Sequence, residues 1–345
     1  MRPFHGALAI WLVLPALLGA CTANDVVDPF DTPKRVWPEP PQTARVVYVG
    51  EFSTAADLGI KESFWSRIVA ITAGPSSRAM VRPMAVAVTD DGQIIYVADS
   101  EAHCVHRFDL KKRRYTKLEV ARDLAEAFPI GLAITDDNWL FVTDSQRGLL
   151  YRVAPGGGEL EVFDTAAVVR QPTGIFWDSG ADQLFVTDTI SQVVLVIDRE
   201  GDLKHTIGER GAGPGQLNFP TYLWMDGHGE LLISDSLNFR VQRFDNKGSF
   251  LYQFGENGDE PGYFSRPKGI ATDSLGHIYV VDSLLHALQI FGQRGEFLLS
   301  IGQQGQGSGE FWLPNGIFIT KDNTIFMADS YNARIQVFRY VGPEA

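Results

Sequence analysis

Short apolar segments separated by turn residues recur along the chain with a nearly constant period. Each unit opens at a proline: Pro83, Pro129, Pro172, Pro220, Pro267 and Pro314. An apolar run follows, such as Pro267-Lys-Gly-Ile-Ala-Thr-Asp273, and then a turn bearing Gly or Asn. A second run, such as His277-Ile-Tyr-Val-Val-Asp282, ends in an Asp-Ser or Asp-Thr step. That step falls at Asp99, Asp144, Asp188, Asp235, Asp282 and Asp329, with spacings of 45, 44, 47, 47 and 47 residues. A third run comes after the step, and a fourth, such as Phe297 to Gly302, ends at a glycine. Four short strands bounded by turn formers in each repeat of about 45 residues describe a propeller blade. Six steps predict an all-β, six-bladed β-propeller.

The stretch Leu232 to Asp245 shows the unit most clearly, as strand, tight turn and strand. The short polar side chains of Asp235 and Asn238 suit a turn, because they bond nearby backbone. The wording resembles the NHL family of propellers. The resemblance rests on Gly255-x-x-Gly258, Pro267-x-Gly269-Ile-Ala, Gly276-x-Ile278-Tyr-Val-x-Asp282, and the Asp-x-x-Asn-x-Arg signatures Asp235/Asn238/Arg240 and Asp329/Asn332/Arg334. It spans about residues 45 to 340. Blades one, two, three and five lose the Asn or the Arg of the signature, and Cys104 takes the Arg position in blade one. Such a resemblance implies fold and says little of activity, because one propeller architecture hosts many functions.

Composition narrows the partners. The 345 residues are 45% apolar, with 34 Gly and 18 Pro, as expected of one turn-rich β domain with a sizeable core. The net charge of −12 argues against nucleic acid, whose affinity comes from Lys and Arg neutralising phosphates.

The chain begins with Arg2, an apolar run from Ala7 to Leu18, and Leu18-Gly-Ala-Cys21. The run is shorter than the ~20 residues of a membrane span and matches a secretory signal. Small residues before the cysteine resemble the bacterial lipobox, which implies an acylated Cys21 at the mature N-terminus. The alternative is an ordinary signal peptide cut near Ala20. Thr22 in place of Asp favours the outer membrane. Residues 22–44 carry Pro29, Pro33, Pro38, Pro40 and Pro41 and read as an extended spacer. The expected organisation is a signal peptide over 1–20, a lipidated Cys and Pro-rich linker over 21–44, and a propeller over 45–345.

The last repeat stops after its third strand, Arg334 to Tyr340. An N-terminal segment is therefore expected to complete it. Ile68 to Gly74 precedes Pro83 as Phe297 to Gly302 precedes Pro314, so it is the expected closing strand. Arg45 to Val49 is expected as an edge strand nearby, and Ala55 to Ser66 as a helical turn or two.

Candidate chemistry is sparse. The second residue after each proline is small (Ala85, Gly131, Gly174, Gly269, Gly316), except for Tyr222. The third is always apolar, and aromatics follow at Phe176, Trp177, Trp224 and Phe318. Blade packing around the axis explains this pattern; the sharper reading puts Tyr222, with Trp224, at a ligand pocket near the channel mouth. By family resemblance the residues beside the prolines ring one opening of the channel. There Arg82, Arg266 and Lys268, with Asn315, would form a basic rim on an acidic protein, suited to an anion or an acidic partner loop.

His103-Cys104-Val105-His106 looks like a metal cluster, but a transition metal needs three or four convergent ligands and the sequence names no others. Cys104 reads as a small buried hydrophobe. The acidic turns at Asp90-Asp91-Gly92, Asp136-Asp137-Asn138 and Asp273 to Gly276 are explained by hairpin chemistry. Lys111 to Arg114 reads as a solvated hairpin tip. No metal site and no cofactor is expected.

The reading is a lipid-anchored envelope propeller that binds another envelope protein without catalysis, attached to the membrane through Cys21. Two alternatives stay open. Propellers related to the NHL group include metal-dependent lactonases and lyases, whose Glu, Asp, Asn or His ligands converge on the channel, whereas the inner positions here are mostly Gly, Ala, Ile and aromatics. The other alternative is a small-ligand sensor using Tyr222 and the basic rim.

Overall fold

The computed structural model describes residues 35–60, 79–121, 125–166 and 168–342. Cys21 and the stretch Ile68–Gly74 lie outside them. Six antiparallel sheets radiate from a central axis. Their innermost strands are Pro83–Val88, Pro129–Ile134, Pro172–Asp178, Pro220–Met225, Pro267–Thr272 and Ile317–Ile319. Each packs against the next, and the last lies against the first, which closes the ring. Blade five is typical: Pro267–Thr272, Ile278–Asp282, Ala287–Phe291 and Phe297–Ile301 pair in sequence order. Blades one and two also join at their outer edges, where Leu160 pairs in parallel with Val120.

The prolines occur where the inner strand can do without a ladder N–H. In blades one to five the register shifts between the proline and the residues after it, so each inner strand starts with a bulge. The bulge brings the small residue against the neighbouring blade. A Cβ on Gly269 would sit 2.5 Å from the Asn315 carbonyl oxygen, and one on Gly174 would sit 2.7 Å from Tyr222 Cα. Only glycine permits that approach.

The Asp of each step is fully buried in all six blades. It clamps the loop before the proline. Asp282 accepts the backbone N–H groups of Ser265 and Arg266, and Asp188 those of Arg170 and Gln171. Asp144 accepts that of Phe128, and Asp99 those of Val81 and Arg82. In blades four and six the full signature adds an arginine. Arg240 Nε donates to Asp235 at 2.8 Å, while its Nη atoms hold the carbonyls of Ala212, Gly213 and Gln216. Arg334 does the same with Asp329 and the carbonyls of Gln306, Gly307 and Glu310. Asn238 and Asn332 complete each set by bonding Asp235 and Asp329. These residues tie one blade to the loop from the preceding one. Their role is structural.

Blade one substitutes a different set. His106 Nε2 lies 3.2 Å from Asp99, and its Nδ1 lies 2.8 Å from the Tyr115 hydroxyl. Burial opposes the Asp99 charge, but His106 and the N–H groups of Val81 and Arg82 hold its carboxyl below the usual range. Cys104 is buried, and burial pushes its thiol up to about 12. His103 turns away, in the left-handed region at φ 53°, with Nδ1 3.1 Å from the Ala127 carbonyl. The two imidazoles therefore have separate partners.

As the sequence predicts, an N-terminal strand closes the ring. Val46–Phe52 completes blade six, pairing Tyr48 with Phe338 and Phe52 with Ile335. Arg35–Trp37 adds a fifth strand outside it. Trp37 is buried and meets Phe338 edge-on at 5.8 Å between ring centres. The stretch from Arg35 thus belongs to the propeller rather than to a free spacer. Ala55 to Ile60 forms turns with buried Ala55, Leu58 and Ile60, and no helix is assigned there. Val46 and Tyr48 bury against blade five and, past the bulge, Val49 and Phe52 bury against blade one; burying each stabilises the join by roughly 1.5–3 kcal/mol.

Candidate functional site

Every inner strand runs from its proline at one face of the disc to a hairpin turn at the other. The axis between the faces is not open. Tyr222 crosses it from blade four, and its hydroxyl donates to the Met84 carbonyl of blade one, the opposite blade, at 3.0 Å. Tyr222 is 9% exposed, and burial pushes its hydroxyl pKa up, so the phenol is a fixed neutral donor. The small residues at the equivalent positions of the other five blades leave the axis free for this one ring. The sequence places Tyr222 and Trp224 at a pocket near the channel mouth, and both stand on the channel rather than beside the prolines: Tyr222 is a bar across the axis, and Trp224 lies beyond it toward the hairpin turns.

On the proline face most polar groups already have partners. Thr173 bonds the Thr221 carbonyl, and Thr221 bonds Ser236. Arg82 Nη1 meets Glu101 at 2.8 Å, and its guanidinium lies over the Tyr331 ring at 4.7 Å. Blade five is different. Leu284 stands where blade one has Glu101, and among the described residues neither the Arg266 side chain nor the Lys268 ammonium has a hydrogen-bonding or ionic partner. Lys268 is partly buried; burial and the Arg266 charge push its pKa down to about 8. Asn315, the equivalent residue of blade six, leaves its buried Oδ1 without a donor, while its Nδ2 lies 3.7 Å from Met84 Sδ. Beside these residues the loops expose Leu284, Trp312 and Tyr331, and the last two rings touch at 5.9 Å.

On the opposite face the channel widens into a funnel of about 510 Å³ with Tyr222 among its lining residues. All six inner strands contribute walls, mostly Val, Leu and Ile. Three aromatic rings from different blades line it. Trp224 meets Phe176 at 5.3 Å and Phe318 at 5.7 Å, both edge-on. Its indole N–H donates to Thr272 at 3.0 Å. At the mouth lie Asp90, Asp91, Asp136, Lys321 and Asp322. Residue types alone do not reveal this funnel; Tyr222, as the lone large residue in its column, was the available signal.

The channel, as the described residues line it, does not fit a divalent metal. Its walls are apolar, its axis is crossed by a phenol bonded to a carbonyl, and at the mouth Asp90 pairs with Lys321 while Asp91 and Asp322 serve their own turns. Asp91 accepts from Thr89 and from the Gln93 N–H, and Asp322 accepts from Thr320 and Thr324. Among the described residues no three His, Cys, Asp or Glu side chains converge.

Comparison with known proteins supports the architecture. A family model described as a six-bladed β-propeller matches residues 273–340, and one described as an SMP-30/gluconolactonase/LRE-like region matches residues 75–190. Among solved structures, virginiamycin B lyase from Staphylococcus aureus superposes with a TM-score of 0.57 at 15% identity, covering 77% of this chain and 97% of that one. An auxiliary nutrient binding protein from Bacteroides thetaiotaomicron gives a TM-score of 0.59 at 12% identity, covering 76% and 69%. Hydrazine synthase from Kuenenia stuttgartiensis gives 0.55 at 12% identity, covering 76% and 96%. No curated protein matches the chain. At these identities the likeness concerns the fold.

Proposed function

We propose that this chain is an exported, lipid-anchored propeller of NHL type that binds an acidic segment of another envelope protein on its proline face, without catalysis. The observation that carries this reading is the unpartnered Arg266 and Lys268 pair beside exposed Leu284, Trp312 and Tyr331. Cations without counter-charges favour carboxylates, and neighbouring exposed aromatics supply the apolar contact that anchors an interface. The Asp-x-x-Asn-x-Arg signature supports the NHL assignment, and the segment ending in Cys21 supports the anchor. The likeness to a nutrient-binding propeller is compatible with a binding role.

A metal-dependent lactonase or lyase is the second reading. The SMP-30/gluconolactonase match and the likeness to virginiamycin B lyase favour it. The apolar, Tyr222-crossed axis speaks against it.

The test is co-purification of the full chain from solubilised envelopes, comparing wild type, Arg266→Glu/Lys268→Glu and Arg82→Gln. A protein present with wild type and Arg82→Gln and lost on charge reversal is expected. An identical set of co-purifying proteins in all three would count against the reading.

A further inference from the structure

The funnel on the hairpin face lies beyond the binding surface just described and is separated from it by Tyr222. Its volume of about 510 Å³ falls within the range of small-ligand sites, and its walls are mostly apolar with few polar groups. Two features bear on what it would hold. The rings of Phe176, Trp224 and Phe318 present apolar, electron-rich surface from three blades. The mouth sets four carboxylates, Asp90, Asp91, Asp136 and Asp322, against the single ammonium of Lys321, which pairs with Asp90 at 2.6 Å. Among the described residues Asp136 makes no side-chain hydrogen bond or close ion pair, although Lys321 lies near enough to feel its charge.

We propose that the funnel is a second binding site, for a small amphipathic organic cation. Its apolar or aromatic body packs against the edge-packed rings of Phe176, Trp224 and Phe318 on the mouth side, and its ammonium stays at the mouth beside Asp136 and Asp322. The class follows from the lining. An anion would meet the carboxylates at the entrance. A small hydrophilic cation would forgo the apolar wall, and a neutral apolar molecule would gain nothing from the mouth.

Isothermal titration of the full chain with three probes of one ring tests this: benzyltrimethylammonium, benzyl alcohol and phenylacetate. Benzyltrimethylammonium is expected to bind in the millimolar range or tighter, as suits a ligand of its size. Phenylacetate is expected to bind at least tenfold more weakly. Ile134→Trp, which fills the funnel, should abolish binding; circular dichroism checks that this variant folds. Asp136→Asn, at an exposed position, should weaken the cation by about threefold, the scale of one exposed charge interaction. Lys268→Met, on the other face, should leave it unchanged, which keeps this test separate from that of the proline face. The proposal is overturned if no probe binds, if phenylacetate binds as tightly as the cation, or if folded Ile134→Trp binds like wild type.

Discussion

The Tyr222 hydroxyl and the Met84 carbonyl meet at 3.0 Å across the propeller axis, although 138 residues separate them in the chain. This contact joins opposite blades and divides the channel into a proline-side rim and a hairpin-side funnel.

Removing the hydroxyl tests that contact in isolation. Tyr222→Phe leaves the ring in place and orphans one carbonyl lone pair, so the expected cost is about 1 kcal/mol in chemical denaturation. Tyr222→Ala empties the axis and should cost roughly 3–5 kcal/mol, the range for losing a buried aromatic ring.

Lys268 makes the proline face pH-sensitive. Its pKa is pushed down to about 8 by burial and by Arg266, whereas an unfolded lysine titrates near 10.4. Between these values the unfolded chain holds more protons, so stability should rise as pH increases from about 8 to 10.4. Below about pH 8 the full penalty applies. Lys268→Met should therefore stabilise the protein at pH 7, on the order of 2 kcal/mol, and flatten the rise. Denaturation curves across that range provide the check; an unchanged slope in the variant would contradict the assignment.

Arg240 holds a buried charge, and the cost of losing it should be large. Burial raises the Asp235 pKa despite the opposing hydrogen bonds of Asn218, Asn238 and Arg240. Arg240→Ala would leave that carboxyl with less compensation and take a donor from three carbonyls, of which Gly213 and Gln216 keep another, at about 3–5 kcal/mol. His106→Gln should be mild by comparison, since Gln242 and Gln336 reach the blade aspartate from the same repeat position.

Gly316 tests how closely the blades approach. A methyl group there would meet the Met84 carbonyl oxygen at 2.5 Å, so Gly316→Ala should cost about 1–3 kcal/mol through overpacking. Gly158, where an added Cβ meets nothing within 4 Å, is the control.

The proposed anchor has its own test. Cys21→Ser should move the protein out of the membrane fraction, and mass spectrometry of the wild-type N-terminus should find acyl chains on Cys21. Unchanged membrane association of the variant would remove the anchor from the account.

The repeat was legible because its prolines and aspartates mark backbone requirements that recur in each blade: a strand start without an N–H, and an acceptor for the loop before it. The closing strand was less so. The missing fourth strand of the last repeat called for an N-terminal strand, but the period alone does not say that Val46–Phe52, with its bulge, supplies one. Basic residues at Arg82, Arg266 and Lys268 could be named in advance. Which of them lacks a partner depended on Glu101 in blade one against Leu284 in blade five. The position of Tyr222 on the axis required the ring itself, because only closure brings blade four opposite blade one.

The account centres on the proline face as the surface that meets a partner. A photo-crosslinking residue placed at Trp312, in cells expressing the full chain, tests this most directly, with the same probe at Asp182 in a hairpin turn of blade three as the comparison. The account predicts a discrete adduct from position 312 that disappears with Arg266→Glu/Lys268→Glu, and none from position 182. An adduct from position 182 alone, or one from 312 that survives charge reversal, would contradict it.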